Sequence, residues 1–166
     1  GVTSVEHGIF LTDEIINLML EKGTWLVATL AAPYNIVKNG LEGGIPDYAV
    51  RKANMIIGDH NLSFKKAYKA GVKMAMGTDA GTPFNEHSES WFELKLMCEN
   101  GMSPMEAIMA TTRNAAELLD IDKDYGTLET GKYADFIVLD SNPLEDIEAL
   151  KTVAATYHHG VCYFQA

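Results

Sequence analysis

Two side chains stand out for the chemistry they could do together. His7 closes the β-type run "GVTSVEHG". Asp79 sits in "VKMAMGTDAGTP", Val72 to Pro83, just past an apolar run that reads as a strand buried on both faces. Each has a glycine beside it, Gly8 after the histidine and Gly77 just upstream of the aspartate, which lets the backbone turn sharply and approach a ligand. If both runs are strands of one parallel sheet, His7 and Asp79 occupy equivalent C-terminal strand ends, where α/β barrels gather functional groups. Imidazole and carboxylate are donors of a hydrolytic zinc site that leaves positions open for water. On residue types alone, the same pattern also describes a hydrogen-bonded structural histidine and an aspartate capping a turn.

The elements that must position these groups alternate. "TDEIINLMLEKG" reads as a helix with Thr12 as N-cap, an apolar stripe of Ile15, Ile16, Leu18, Met19 and Leu20, and Gly23 as the stop. "TWLVATL" is a second apolar strand, and "AAPYNIVKNGLEGGIP" is a Gly/Pro-containing loop. A helical stretch follows from Asp47 to Ala70, with a break expected near Gly58-Asp59. After the Asp79 strand, "SESWFELKLMCENG" and "SPMEAIMATTRNAAELL" read as two helices with serine caps, the second with Pro104 in its first turn. The order β, α, β, α, β, α predicts parallel strands with helical crossovers, an α/β fold. Past Leu119 the grammar changes to a strand at Asp135–Leu139, a brief helical turn in "NPLEDIEAL", and two strands around His159-Gly160. The predicted division is therefore 1–119 and 120–166, the second part a small β appendage.

Composition narrows the class. The 166 residues are 47% hydrophobic and 22% charged, which describes a globular chain. Twenty-three acids against 13 bases give a net charge of −10, which argues against a nucleic-acid or anionic-membrane partner. Cys98 and Cys162 fit no metal-binding pair and read as free thiols, which favours the cytoplasm. The "GTDAG" loop lacks the lysine and glycine spacing of a phosphate-binding loop. His60 is read as structural, on the helical layer away from the strand ends. His158 and His159 are adjacent, and adjacent residues of a strand point to opposite faces.

Four segments together, "SVEHG", "GVKMAMGTDAGTPFNEH", "SPMEAIMATTRNAAELL" and "GTLETGKYADFIVLDSNPLEDI", occur in the order found in metal-dependent amidohydrolases. The chain most resembles the branch of imidazolonepropionases and prolidase-like Xaa-Pro and Xaa-Arg dipeptidases. That resemblance implies the C-terminal portion of a TIM (β/α)8 barrel, strands six to eight with their helices, followed by a small β-sandwich appendage. It implies hydrolysis of an amide, peptide or cyclic amide C–N bond by a metal-activated water. His7 matches a metal ligand at the end of strand six. Asp79 matches the strand-eight aspartate, which binds metal, takes the proton of the attacking water and passes it to the leaving nitrogen. His87, in "PFNEHSES", resembles a position near the substrate, though a surface histidine at a helix start has the same signature. Tyr34, in the loop after strand seven, is a second candidate for substrate contact, and an aromatic packed on a neighbour is its bland alternative.

The cofactor so implied is a divalent metal, zinc by donor type, one or two ions in the full-length enzyme. The family's His-x-His pair, its strand-four lysine and its strand-five histidine are not in this sequence. The expectation is therefore a piece of a longer protein, inactive alone and holding metal weakly if at all. Its partners are then the missing N-terminal half of the barrel and a small-molecule or dipeptide substrate. Open strand edges and an inner face with Val5, Leu26 and Met76 predict self-association of the chain alone. The alternative is a non-catalytic ligand-binding or assembly domain on the same half-barrel.

Overall fold

The computed structural model describes residues 1–166 and contains two sheets. Strands β1 (Ser4–Glu6), β2 (Trp25–Val27) and β3 (Met74–Ala75) form a parallel sheet in the order β1-β2-β3. Its register pairs Ser4 with Trp25, Glu6 with Val27, and Leu26 with Met74. Helix α1 (Asp13–Lys22) crosses over from β1 to β2, and α2 (Ala31–Asn39) and α3 (Asp47–Ala70) together connect β2 to β3. Every residue of the central strand β2 is buried. Leu26, expected on an uncovered face, is only 1% exposed and belongs to the main core with Ile16, Phe64, Met74 and Leu94.

Helix α1 starts and stops where the sequence places it. Thr12 Oγ1 accepts the Ile15 N–H, and Gly23 takes the left-handed conformation at φ 66°. Only Ile16 and Met19 of its apolar stripe are buried, because one i,i+3 row faces the protein. The segment read as a loop after β2 instead contains α2. Pro33 lies in the first turn of that helix, where its missing N–H has no intrahelical partner to lose. Helix α3 runs 24 residues without a break, and its buried residues Ala53, His60, Phe64 and Ala67 lie along one face.

A single turn of 3-10 helix, His87–Glu89, precedes α4 (Trp91–Glu99). Ser90 at the start of α4 makes no side-chain capping bond, contrary to expectation. Ser103 caps the next helix in a reciprocal capping box with Glu106. The segment expected to be one helix is two, α5 (Pro104–Thr111) and α6 (Arg113–Leu118), parted at Thr112. The hydroxyls of Thr111 and Thr112 donate back to the carbonyls of Ala107 and Ile108, a local competition that bends helices.

The appendage is an antiparallel sheet of β4 (Phe136–Leu139), β5 (Val153–His158) and β6 (Val161–Gln165), in that order. It is one sheet, so this chain supplies a single layer where a sandwich has two. Its 3-10 turn at Ile147–Lys151 is anchored on the helical layer: Ile147 enters the main core, and Lys95 Nζ meets Glu148 Oε1 at 2.5 Å.

Candidate active site at the strand ends

The three parallel strands end alike. His7 follows β1, Thr29 lies two residues past β2 and Asp79 four past β3, and these three carry positive φ values of 66°, 54° and 55°. Asp and His tolerate the left-handed region better than most residues, whereas a β-branched threonine there is a strained outlier. The adjacent glycines answer to packing. A Cβ on Gly8 would sit 2.6 Å from Leu26 Cδ1, and one on Gly77 would sit 2.7 Å from Val27 Cγ1. At both turns a side chain larger than hydrogen would collide with a side chain of β2.

Hydrogen bonds then fix the His7 ring. Its Nδ1 lies 2.6 Å from Thr29 Oγ1, and the Thr29 hydroxyl is also 2.6 Å from the carbonyl of Ala28. A carbonyl can only accept, so the single hydroxyl proton goes to Ala28 and His7 Nδ1–H donates to Thr29. In the neutral ring this tautomer leaves Nε2 as the nitrogen with the lone pair, the form in which an imidazole binds metal.

His60 is closer to the chemistry than its helical position implied. Its Nε2–H is shared by the carbonyls of His7, at 2.9 Å, and Ala28, at 2.8 Å, so one imidazole on α3 ties the ends of β1 and β2 together. The ring is 1% exposed, and burial holds its pKa below the ordinary histidine value, favouring the neutral form that this geometry needs. His60 Nδ1 is buried without a partner. Three residues along α3, Ser63 accepts the Leu11 N–H and donates to the Ile9 carbonyl, holding the loop after β1.

The loop after β2 has its own clamp. Glu93 on α4 is buried, and its two carboxylate oxygens accept the N–H groups of Leu30, at 2.8 Å, and Ala31, at 2.7 Å. It thereby caps the start of α2 from another helix. Burial pushes its pKa up to about 7, against the opposing pull of those two N–H groups. The Asp79 loop is stapled by buried Asn85, whose amide donates to the carbonyls of Thr78, at 2.6 Å, and Asp79, at 3.1 Å.

His7 and Asp79 line one cleft of about 300 Å³. Its walls are apolar, with Ala32, Pro33 and Ile36 from α2 and Ala53 and Ile56 from α3; Lys52 and Tyr48 add the only cation and phenol. Tyr34 and His87 are outside this lining. Tyr34 is on α2, edge-on to Phe92 with ring centroids 5.2 Å apart, and His87 is exposed on the 3-10 turn. Thr29, His60, Asn85 and Glu93 were not among the residues singled out as functional. Glu93 alone left a signal in the sequence, an acid inside the apolar run "WFELKLM".

A profile of the amidohydrolase family matches residues 1–162. Ochratoxinase of Aspergillus niger is 33% identical over 159 residues, 95% of this chain and 32% of that protein. Imidazolonepropionase of Geobacillus sp. (strain WCH70) is 28% identical over 141 residues, 84% of this chain and 28% of that protein. The solved structure of a Xaa-Pro dipeptidase with bound methionine in the active site matches with a TM-score of 0.90 at 40% identity, over 98% of this chain and 40% of that one. The chain thus spans about a third of the length of these curated relatives.

Proposed function

The chain belongs to the amidohydrolase family, in the branch of imidazolonepropionases and prolidase-like dipeptidases, and on that premise we propose that it carries part of the catalytic centre of a C–N hydrolase. The bond cleaved is an amide, peptide or cyclic amide in a small molecule or dipeptide. Residues 1–119 are strands six to eight of a (β/α)8 barrel with their helices, and 120–166 belong to the small β domain. The working compartment is the cytoplasm, in keeping with two free cysteines.

One observation carries this reading: His7 and Asp79, from the ends of two different strands, line the same cleft. The donor set fits a divalent cation, zinc by type, because the neutral His7 ring held by Thr29 offers Nε2 and Asp79 offers a carboxylate. When bound, such a metal lowers the pKa of water towards about 7. Asp79 then collects a proton from the attacking water and delivers it to the leaving nitrogen. Thr29 holds the His7 tautomer, and His60 and Glu93 hold the backbone from which His7 and the second loop project. The apolar cleft wall excludes water and receives the side chain of the substrate, with His87 and Tyr34 as outlying candidates for further contact.

The test is Asp79→Asn in the full-length protein. Asparagine keeps the shape and is at ease at positive φ, but cannot take the proton, a role worth about 10²–10⁴-fold in rate. Turnover falls by that order while the melting temperature is unchanged. Near-normal turnover with metal still bound would overturn the assignment.

A further inference from the structure

The appendage carries a second cluster of ligand-type side chains. Asp135 immediately precedes β4, His158 ends β5, and His159 opens the two-residue turn into β6. The alternation of a strand sends neighbouring side chains to opposite faces, and on that rule the two histidines diverge. The turn cancels it. His159 and Gly160 both have positive φ, 50° and 77°, the signature of a type I′ hairpin, and the rotation brings the two imidazoles to centroids 4.0 Å apart.

The third group is already engaged with both. Asp135 Oδ1 accepts the backbone N–H of His159 at 2.6 Å and lies 3.1 Å from His158 Nδ1. One ligand atom from each of the three residues falls within 4.8 Å of the others. A separation of 3.1 Å suits two neighbouring ligands on an ion bound at about 2.1 Å. Packing from outside the cluster holds both rings. Tyr133 stacks on His159 with centroids 4.1 Å apart, and Tyr163 meets His158 edge-on at 5.8 Å. Restricted rings lose little freedom on ligation, which favours binding.

We propose that Asp135, His158 and His159 form a zinc site on the β5–β6 hairpin, separate from the cleft of His7 and Asp79. Two imidazoles and a carboxylate select a borderline transition cation; magnesium and calcium prefer all-oxygen sets. Water fills the fourth position. The ion pins the start of β4 to the β5–β6 turn and so fastens the outermost strand, β6, whose residues are all exposed.

The experiment is a calorimetric zinc titration of the chelator-stripped full-length protein. His7→Ala and Asp79→Asn are introduced first to silence the cleft. One equivalent of zinc still binds this hairpin, and magnesium gives no heat there. Adding His158→Gln and His159→Asn, the latter tolerant of positive φ, weakens that event at least tenfold, as does Asp135→Asn, which keeps an acceptor for the His159 N–H but loses the charge. Zinc binding unchanged by these substitutions, or absent with the cleft silenced, overturns the proposal. A second measurement needs no variant: in the unmodified protein, zinc shifts the ring resonances of His158 and His159. Rings unmoved at saturating zinc overturn it equally.

Discussion

At the residue scale, the proposed metal site depends on which nitrogen of the neutral His7 ring holds the proton, and one hydroxyl decides it. Thr29 adopts a left-handed conformation that threonine disfavours, and in that conformation its Oγ1 reaches both His7 Nδ1 and the Ala28 carbonyl. Removing the hydroxyl by Thr29→Val frees the ring to rotate and to exchange tautomers. Partners of this kind behind a metal-binding histidine are typically worth about 10–100-fold in metal affinity or activity. The full-length Thr29→Val protein accordingly binds zinc in the cleft more weakly by that order, and Thr29→Ser restores it. Equal affinity in all three proteins, read by competition with a chromophoric chelator, would leave Thr29 only a structural role.

At the element scale, the cleft exists because helices reach across to strand ends. Glu93 caps α2 from α4, so the two helices share a buried carboxyl whose pKa lies near 7 instead of the ordinary 4.5. The folded chain therefore keeps a proton that the unfolded chain gives up. The stability tied to this group is present in full below 4.5 and is lost as pH rises through about 7. Glu93→Gln has nothing to titrate there, so the melting temperature of the wild type relative to this variant falls across that window. A constant or widening difference would contradict the buried, protonatable cap. The same helices show how far the sequence was legible. Helix α1 was readable to its caps, because Thr12 and Gly23 act through local backbone chemistry. The placement of His7 and Asp79 just past strands was readable, because glycines and polar residues end the apolar runs. Helix α2 was not, since Pro33 reads as a breaker until its place in the first turn is known. His60 was not, and Glu93 showed only as an acid inside an apolar run, since their partners lie 32 to 63 residues away and no local pattern records such a contact.

At the scale of the whole molecule, the parallel sheet has two free edges, β1 and β3. A groove of about 560 Å³ runs beside β1, lined by Val2, Val5, Ile15 and Leu18, of which Val2 is 68% and Leu18 53% exposed. Parallel strands are normally paired and covered on both sides, and the solved dipeptidase is more than twice as long as this chain. We propose that the remaining barrel strands complete both edges and supply the other metal ligands. Residues 1–166 alone then self-associate and hydrolyse nothing, and activity appears when the N-terminal half is added in trans. Light scattering and turnover assays on the separate and mixed halves check this. A monomeric chain 1–166 with activity of its own would refute it.

The three left-handed residues at the strand ends also bear on how this sequence can drift over evolutionary time. Aspartate, asparagine, histidine and glycine are among the few residues at ease at positive φ, and positions 7 and 79 hold two of them. Drift at both positions is thus confined to a narrow alphabet by backbone geometry, before any demand of chemistry applies. Invariance at His7 or Asp79 among descendants would by itself carry little information about catalysis. Invariance at Thr29 would carry far more, because there the backbone argues against the residue and only its hydroxyl argues for it.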